Sequence, residues 1–463
     1  MQNPYLESES LSIPKLREVI RGEVIAPDDV TYDQARAVYY GIDRRPAVII
    51  RPTDAEEVAY VVAVARDTGI ELAVRSGGHS LSGHGVSEDG IVLDLSGMKG
   101  LHIDATQRTV WAQSGLTAGE LTKAVGEHGL AVGFGDAGSV GIGGITLGGG
   151  VGFLVRKLGL TIDSLLAAEV VTADGRLIDV DAENHPDLFW AIRGGGGNFG
   201  VVTRFKFGLA EVGEVFGGML MLPATSEVIK SFVDLAEAAP EELSGIANVM
   251  LAPPMPFLPE EQHGKPVLFG IMVYAGDPSE GEEVLAPFRT LATPLMDMLQ
   301  PMSYPEIYEQ LEEGGAPTPA GFVVRTMFLD GFDQDAAAAI VDRLNASTAN
   351  MAVAQLRVLG GAMARIPDDA TAFAHRGHKL MANVAAMYED SSQAAVHEAW
   401  VDELAGLIDR GGGGAYVNFL GDEGADRIRA AYPGPTWDRL RAIKRRYDPT
   451  NLFRVNQNIP PAR

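Results

Sequence analysis

Residues 141–152, GIGGITLGGGVG, hold seven glycines in twelve positions. Glycine loses more backbone freedom on folding than any other residue. Such density survives only where the backbone must run very close to something or adopt a positive φ. A tight turn between strands is one reason. An anionic ligand is the other, and a pyrophosphate facing bare N–H groups is its commonest form. The density here points to a ligand-holding loop.

A second glycine run, Gly195-x-Gly197-x-x-Gly200, spells G-x-G-x-x-G. In a Rossmann unit that pattern follows a strand and opens a helix. Here the helix-like HPDLFWAI precedes it and the alternating VVTRFKF follows, so the order is reversed. No G-x-x-x-x-G-K-[ST] pattern occurs. The glycines therefore imply a dinucleotide held by loops between strands, in another fold.

The flanking segments read as alternating strands and helices. AVIIRP, a helix over EEVAYVVAVARDTG and IELAVRS form a β-α-β unit, with Thr53 and Glu56 predicted as a capping box. IVLDL and TVWAQ read as strands. Thr117 and Glu120 form a second box, and AAEVVTADGRLIDV is a hairpin turning on Asp174-Gly175. From 215 to about 410 strand-like runs alternate with helices near 225–239, 279–293, 334–347 and 391–410. This predicts one α+β domain, a sheet with helices on one face. The tail from GGGGAYVNF to YDPTNLFRVNQNI reads as Gly- and Asn-rich loops.

Lys plus Arg number 37 against 62 Asp plus Glu, a net charge of −25. That surface repels phosphate backbones and anionic lipids, which argues against nucleic-acid and membrane partners. With no cysteine, disulfides, thiolate metal sites and thiol nucleophiles are excluded. The first residues show no basic-then-apolar signal, and no apolar run approaches the ~20 residues of a membrane span. A soluble, cytoplasmic protein is the expectation.

Arg75-Ser76-Gly77-Gly78-His79-Ser80 puts an imidazole on a loop after a strand. Together with GHGVSEDGIVLDLSGM, VGIGGITLGGGVGFLVRKLGLTIDSL, FWAIRGGGGNFGVV and YDPTNLFRVNQNI, it resembles the berberine-bridge-enzyme-like branch of the vanillyl-alcohol-oxidase (PCMH-type FAD-binding) flavoproteins. The resemblance covers nearly the whole chain. It implies an α+β FAD-binding domain of two subdomains over residues 1–209 (PCMH-type core about 42–210). A substrate domain with an antiparallel sheet backed by helices follows over 210–410, and a segment 411–463 returns to the first domain. FAD is the implied cofactor, joined through His79.

Many relatives add a cysteinyl link, but Ala137 stands at that position, so a single link is expected. The resemblance also assigns backbone amides of Ser76, Gly77, Gly78, Ser80 and Gly83 to the pyrophosphate. Gly141, Gly143, Gly144, Gly148 and Gly152 are assigned to the flavin, Val202 to the adenine side, and Asn456 and Asn458 to the ring. Arg75, His84, Gly135, Asp136, Ser139, Val140 and Leu147 fall in the same motifs and join the cofactor-binding set.

The implied reaction is oxidation of a C–H bond next to O or N in a small organic substrate, an alcohol, sugar or amine. A hydride goes to flavin N5 and O₂ is reduced to H₂O₂. Tyr416 is the candidate base, with Asn418 two residues on and Tyr388 ending a strand that points to the same cavity. His375 and Arg376 are candidate substrate contacts, and Arg376 fits either an anchor for an acidic substrate or a salt-bridge partner. His375-x-x-His378 has no third ligand, so no metal is expected. Two alternatives stay open: a dehydrogenase of the same fold using another acceptor, and a non-catalytic flavin-binding protein.

Overall fold

The computed structural model describes residues 11–255, 258–312, 321–409 and 413–463. The reading of the first ten residues and the start of the tail at 411 lie outside them.

The chain opens with a small four-stranded sheet. Val48–Arg51 and Leu72–Arg75 flank Ile91–Asp94 in parallel, and Glu23–Ile25 closes the other edge antiparallel. Helix Ala55–Thr68 buries Val58, Val61, Val62 and Ala65 against it and stops at Gly69, where φ is 71°. Its start differs from the expected Thr53/Glu56 box. Asp54 is the cap, accepting from the N–H groups of Glu56 and Glu57, and Glu57 reaches back to the Thr53 N–H at 2.8 Å. A carboxylate accepts two donors and suits the positive helix end better than a hydroxyl, which moves the cap one residue on.

Next comes a five-stranded antiparallel sheet. Its order is Leu101–Asp104, Thr109–Gln113, Val201–Gly208, Leu165–Val171, Leu177–Asp181. The hairpin on Asp174-Gly175 and the Thr117/Glu120 box form as expected. The tail differs from the loop expectation, because Ala425–Ala431 and Pro435–Tyr447 are helices. Nearly half of the second is charged, but Leu440, Ile443 and Tyr447 make one buried stripe against Trp190 and Phe199.

The large sheet holds eight strands, all paired antiparallel. Helices Ser226–Ala238, Gln334–Ala346 and Ala394–Ile408 cover one face. Strand parity decides which residues meet them. In Leu380–Tyr388, Leu380, Ala382, Val384 and Ala386 join the helix-side core, whereas Met381 packs with Tyr416 on the opposite face.

The RSGGHS loop and the 141–152 glycine run meet backbone to backbone. A methyl added at Gly77 would overlap the Gly141 amide, and one at Gly141 would overlap the Gly77 amide and the Ser76 hydroxyl. The Ser76 hydroxyl donates to Ser114 O at 2.5 Å and accepts from Gly143 N–H at 3.3 Å, joining three segments. Gly141→Ala is expected to lower stability by about 1–3 kcal/mol in urea unfolding. Gly406→Ala, on an exposed helix turn with nothing within 4 Å of the added carbon, should raise it by about 0.5–1 kcal/mol.

Candidate active site

A cavity of about 350 Å³ lies where the two smaller sheets, the glycine loops and the tail converge. Of the residues expected there, Arg75, Ser76, Gly77, Gly78, His79, Ser80, His84, Gly135, Asp136, Val140, Gly141, Gly143, Gly144, Leu147, Val202, Tyr416 and Asn456 line it, as do Asn418 and Ala137. Gly78 turns with φ 73°. The N–H groups of Gly77, Gly78, His79 and Ser80 find no acceptor among the described residues. Successive unpaired amides on a loop of this kind make an anion cradle.

His79 stacks on Tyr39, with ring centroids 4.0 Å apart. Burial pulls its pKa down to about 4, against a smaller opposing effect from the Ser139 backbone and the Asp136 charge. The imidazole is therefore neutral near pH 7 and keeps a nitrogen lone pair. His84 is half-buried on the same loop and is lowered in the same way to about 4.

Tyr416 is 2% exposed. Its oxygen accepts from Gly150 N–H and from Asn418 Nδ2, both at 3.0 Å. Gly148 makes room for that amide, since a side chain there would overlap Asn418. Burial raises the Tyr416 pKa, while the two donors and the Arg357 charge oppose the rise.

Arg357, from strand Met351–Val358, is 1% exposed. It donates to Val151 O at 2.7 Å, Asp136 Oδ2 at 2.5 Å and Gln355 Oε1 at 3.1 Å. Sequence reasoning missed it. The available signal was a glutamine and an arginine sharing one face of an otherwise apolar strand.

The tail supplies the remaining wall. Lys444 and Asp448 form a fully buried pair at 2.6 Å. Lys444 also donates to Asn198 O and Phe453 O, and Asp448 accepts from the N–H groups of Leu452 and Phe453. This sets Asn456, which donates to Gly197 O and Phe453 O and keeps a buried Oδ1 with no partner among the described residues. An amide cradle for phosphate and an unpaired acceptor for a ring N–H both fit FAD. Gly196, Gly197, Asn198, Gly200 and Gln457 also line the cavity. The G-x-G-x-x-G run thus serves it despite its reversed setting.

Several expected residues fall elsewhere. Gly83 turns beside Ile42, Ser139 meets the His79 ring through its backbone while the residue itself is exposed, and Gly152 lies against the Phe134 carbonyl. Gly148 serves Asn418 rather than the cavity wall. Asn458 is not among the residues lining the cavity, although its buried Oδ1, like that of Asn456, has no partner among the described residues. Arg75 lines the cavity, but its guanidinium is engaged by Asp94 at 2.7 Å. Tyr388 has the parity of the helix-side residues and stacks on His397 at 4.8 Å, so it does not reach the site. Arg376 is a salt-bridge partner, forked onto Asp163 at 2.7 and 3.0 Å. His375 bonds Ala430 O and His378 bonds Asp330. No metal-binding group occurs among the described residues, and no described helix is long and apolar enough to cross a membrane.

Comparison with known proteins agrees with this geometry. The FAD binding domain profile matches residues 46–181, and the profile "Berberine and berberine like" matches 415–460. (R)-6-hydroxynicotine oxidase of Paenarthrobacter nicotinovorans is 32% identical, over 96% of this chain and 97% of its own. The crystal structure of 6-hydroxy-D-nicotine oxidase from Arthrobacter nicotinovorans superposes with a TM-score of 0.84 at 29% identity, covering 96% and 98% of the two chains. Xylooligosaccharide oxidase of Thermothelomyces thermophilus is 28% identical over 90% of this chain and 88% of its own. Fold and site define an FAD-dependent oxidoreductase. The chain belongs to the berberine-bridge-enzyme-like family of FAD-linked oxidoreductases.

His79, His84 and His375 are each lowered to about 4 from 6.5, burial being the largest cause. Between those values the unfolded chain binds more protons than the folded one, so stability falls as pH drops through that window. Urea midpoints of the cofactor-free protein should decline from above pH 6.5 towards about 4, and His375→Gln should flatten the decline. A flat wild-type profile would contradict this.

Proposed function

We propose that this enzyme oxidises a C–H bond next to O or N in a small organic molecule, with FAD joined covalently to His79. Residues 1–209 and the tail from 411 hold FAD, and residues 210–410 present the substrate. O₂ is the proposed terminal acceptor, with H₂O₂ as the second product. When bound, FAD supplies a two-electron acceptor that takes a hydride at N5.

One observation carries the reading: the Tyr416 oxygen sits at the cavity wall between two protein donors. A base must present its oxygen on the wall that a substrate's O–H or N–H would meet, and Tyr416 is on that wall. Tyr416 is therefore the base that removes that proton. Gly150 and Asn418 stabilise its ionised form, and burial opposes them. The rate of the proton-removing step should climb with pH through and beyond the ordinary tyrosine value of 10.0.

His79 supports the covalent reading by its place in the cavity and its neutral imidazole, which is the nucleophilic form. Ala137 and the absence of cysteine leave no thiolate for a second bond. Relatives named for 6-hydroxynicotine and for xylooligosaccharide support a substrate of small-molecule size.

Acid precipitation tests the link. Yellow colour should stay in the wild-type pellet and leave with His79→Ala; a yellow His79→Ala pellet means another anchor. Tyr416→Phe should keep its flavin yet slow anaerobic bleaching by substrate by about 10²–10⁴-fold.

A further inference from the structure

Tyr39 leaves 44% of its surface exposed, yet its ring lies flat on His79, with centroids 4.0 Å apart and planes inclined by 24°. A tyrosine left so wet adds little to a core. Its backbone is nevertheless closely fixed. Arg75 donates to Ala35 O at 2.6 Å and to Ala37 O at 3.4 Å, while Asp94 holds the same guanidinium. The Tyr39 N–H donates to Gly78 O at 3.1 Å, and the chain turns away at Gly41, where φ is 67°. These ties set Tyr39 against the residue that precedes His79.

The far side of Tyr39 leads to the large sheet. Tyr40 meets Tyr39 edge-on at 5.1 Å and stacks on Phe322 at 5.0 Å. The next residue, Val323, packs on the helix side of the sheet, so Phe322 projects from the opposite face. Four rings, Phe322, Tyr40, Tyr39 and His79, thus form a row, and the last three line the cavity.

His79 has little else to steady its ring. Gly77 and Gly78 precede it without side chains, and among the described residues Tyr39 is the one aromatic ring against it. An imidazole on such a loop is free to turn about its side-chain bonds. Stacking restricts that turning and covers one face of the ring. The nitrogen lone pair lies in the ring plane, so the cover leaves it accessible. The Ser139 backbone acts on the ring as a hydrogen-bond acceptor. One nitrogen therefore keeps its hydrogen, and the other carries the lone pair.

We propose that Tyr39 is the positioning residue for covalent attachment of FAD, holding the His79 ring so that its unprotonated nitrogen meets the flavin. This rests on the His79 link proposed above. The new bond joins that nitrogen to a methyl carbon of the flavin ring. One hydrogen leaves the methyl group and one leaves the imidazole, both as protons, and two electrons pass into the ring. O₂ takes the two electrons and two protons as H₂O₂, which returns the flavin to its oxidised form.

The test mixes cofactor-free, full-length protein with FAD in air and follows the yellow colour that acid precipitates with the chain. Tyr39→Ala should attach FAD about tenfold or more slowly than wild type. Tyr39→Phe keeps the stacked ring and should stay within about twofold of wild type. Reversible binding is read separately in the His79→Ala background, where adding Tyr39→Ala should change FAD affinity by less than about threefold. Proton NMR of the cofactor-free protein gives a second readout. The His79 ring protons should lie upfield in wild type and Tyr39→Phe and lose that shift in Tyr39→Ala. Attachment by Tyr39→Ala at the wild-type rate overturns the proposal and leaves the link standing. Tyr39→Phe as slow as Tyr39→Ala, FAD affinity lost as steeply as the rate, or unshifted His79 protons in wild type each overturn it too. A colourless wild-type pellet sinks the link itself, and this proposal with it.

Discussion

Two backbones touch at Gly77 and Gly141, and neither position tolerates a side chain. That contact brings the loop carrying His79 onto the loop leading to Gly150, and through Gly150 to Tyr416. The Ser76 hydroxyl adds Ser114 to the same junction. His79, the unpaired amides beside it and Tyr416 are thus positioned by one close approach between segments more than sixty residues apart in sequence. The N–H groups of Gly77 to Ser80, beside this contact, have no acceptor among the described residues and belong to residues lining the cavity. The anion cradle follows from the packing.

Charge is managed separately from packing. The surface is strongly acidic, whereas the cavity holds matched pairs and neutral histidines. Burial disfavours charge on the imidazoles and leaves His79 with its lone pair. The same burial works against the Tyr416 phenolate, and two N–H donors are set against it. The tyrosine is tuned by a balance of opposing effects, so small changes at Asn418 or Gly150 act directly on its proton.

Local features of this fold were legible in the sequence because they depend on neighbours within a few residues. The Thr117/Glu120 box, the Asp174-Gly175 hairpin and the glycine loops are of this kind. Asp54 displaced Thr53 as a cap because two adjacent candidates competed and charge decided. The last tail helix was hidden by its charged exterior, since only a narrow stripe is buried. Tyr388 was misplaced by one step of strand parity, which a strand of mostly small apolar residues does not reveal. Arg357 left only the faint mark of a polar pair on one strand face, because its partner Asp136 is 221 residues away. The family motifs supplied His79 and Tyr416, and distance in sequence concealed what surrounds them.

The buried Lys444–Asp448 pair has a consequence for how the molecule is made. It fixes the turn that brings Gln457 to Ser82, a bond closing 375 residues of chain. Ribosomes deliver that turn after the strands of every sheet described above, so the early glycine loops must wait for this wall. Until it arrives, the cavity lacks the wall that Asn456 and Gln457 supply, and loop closure over such a span is entropically slow. A ligand that bridges the first and last parts of the chain then acts as a clasp, adding its binding free energy to the docking of the tail.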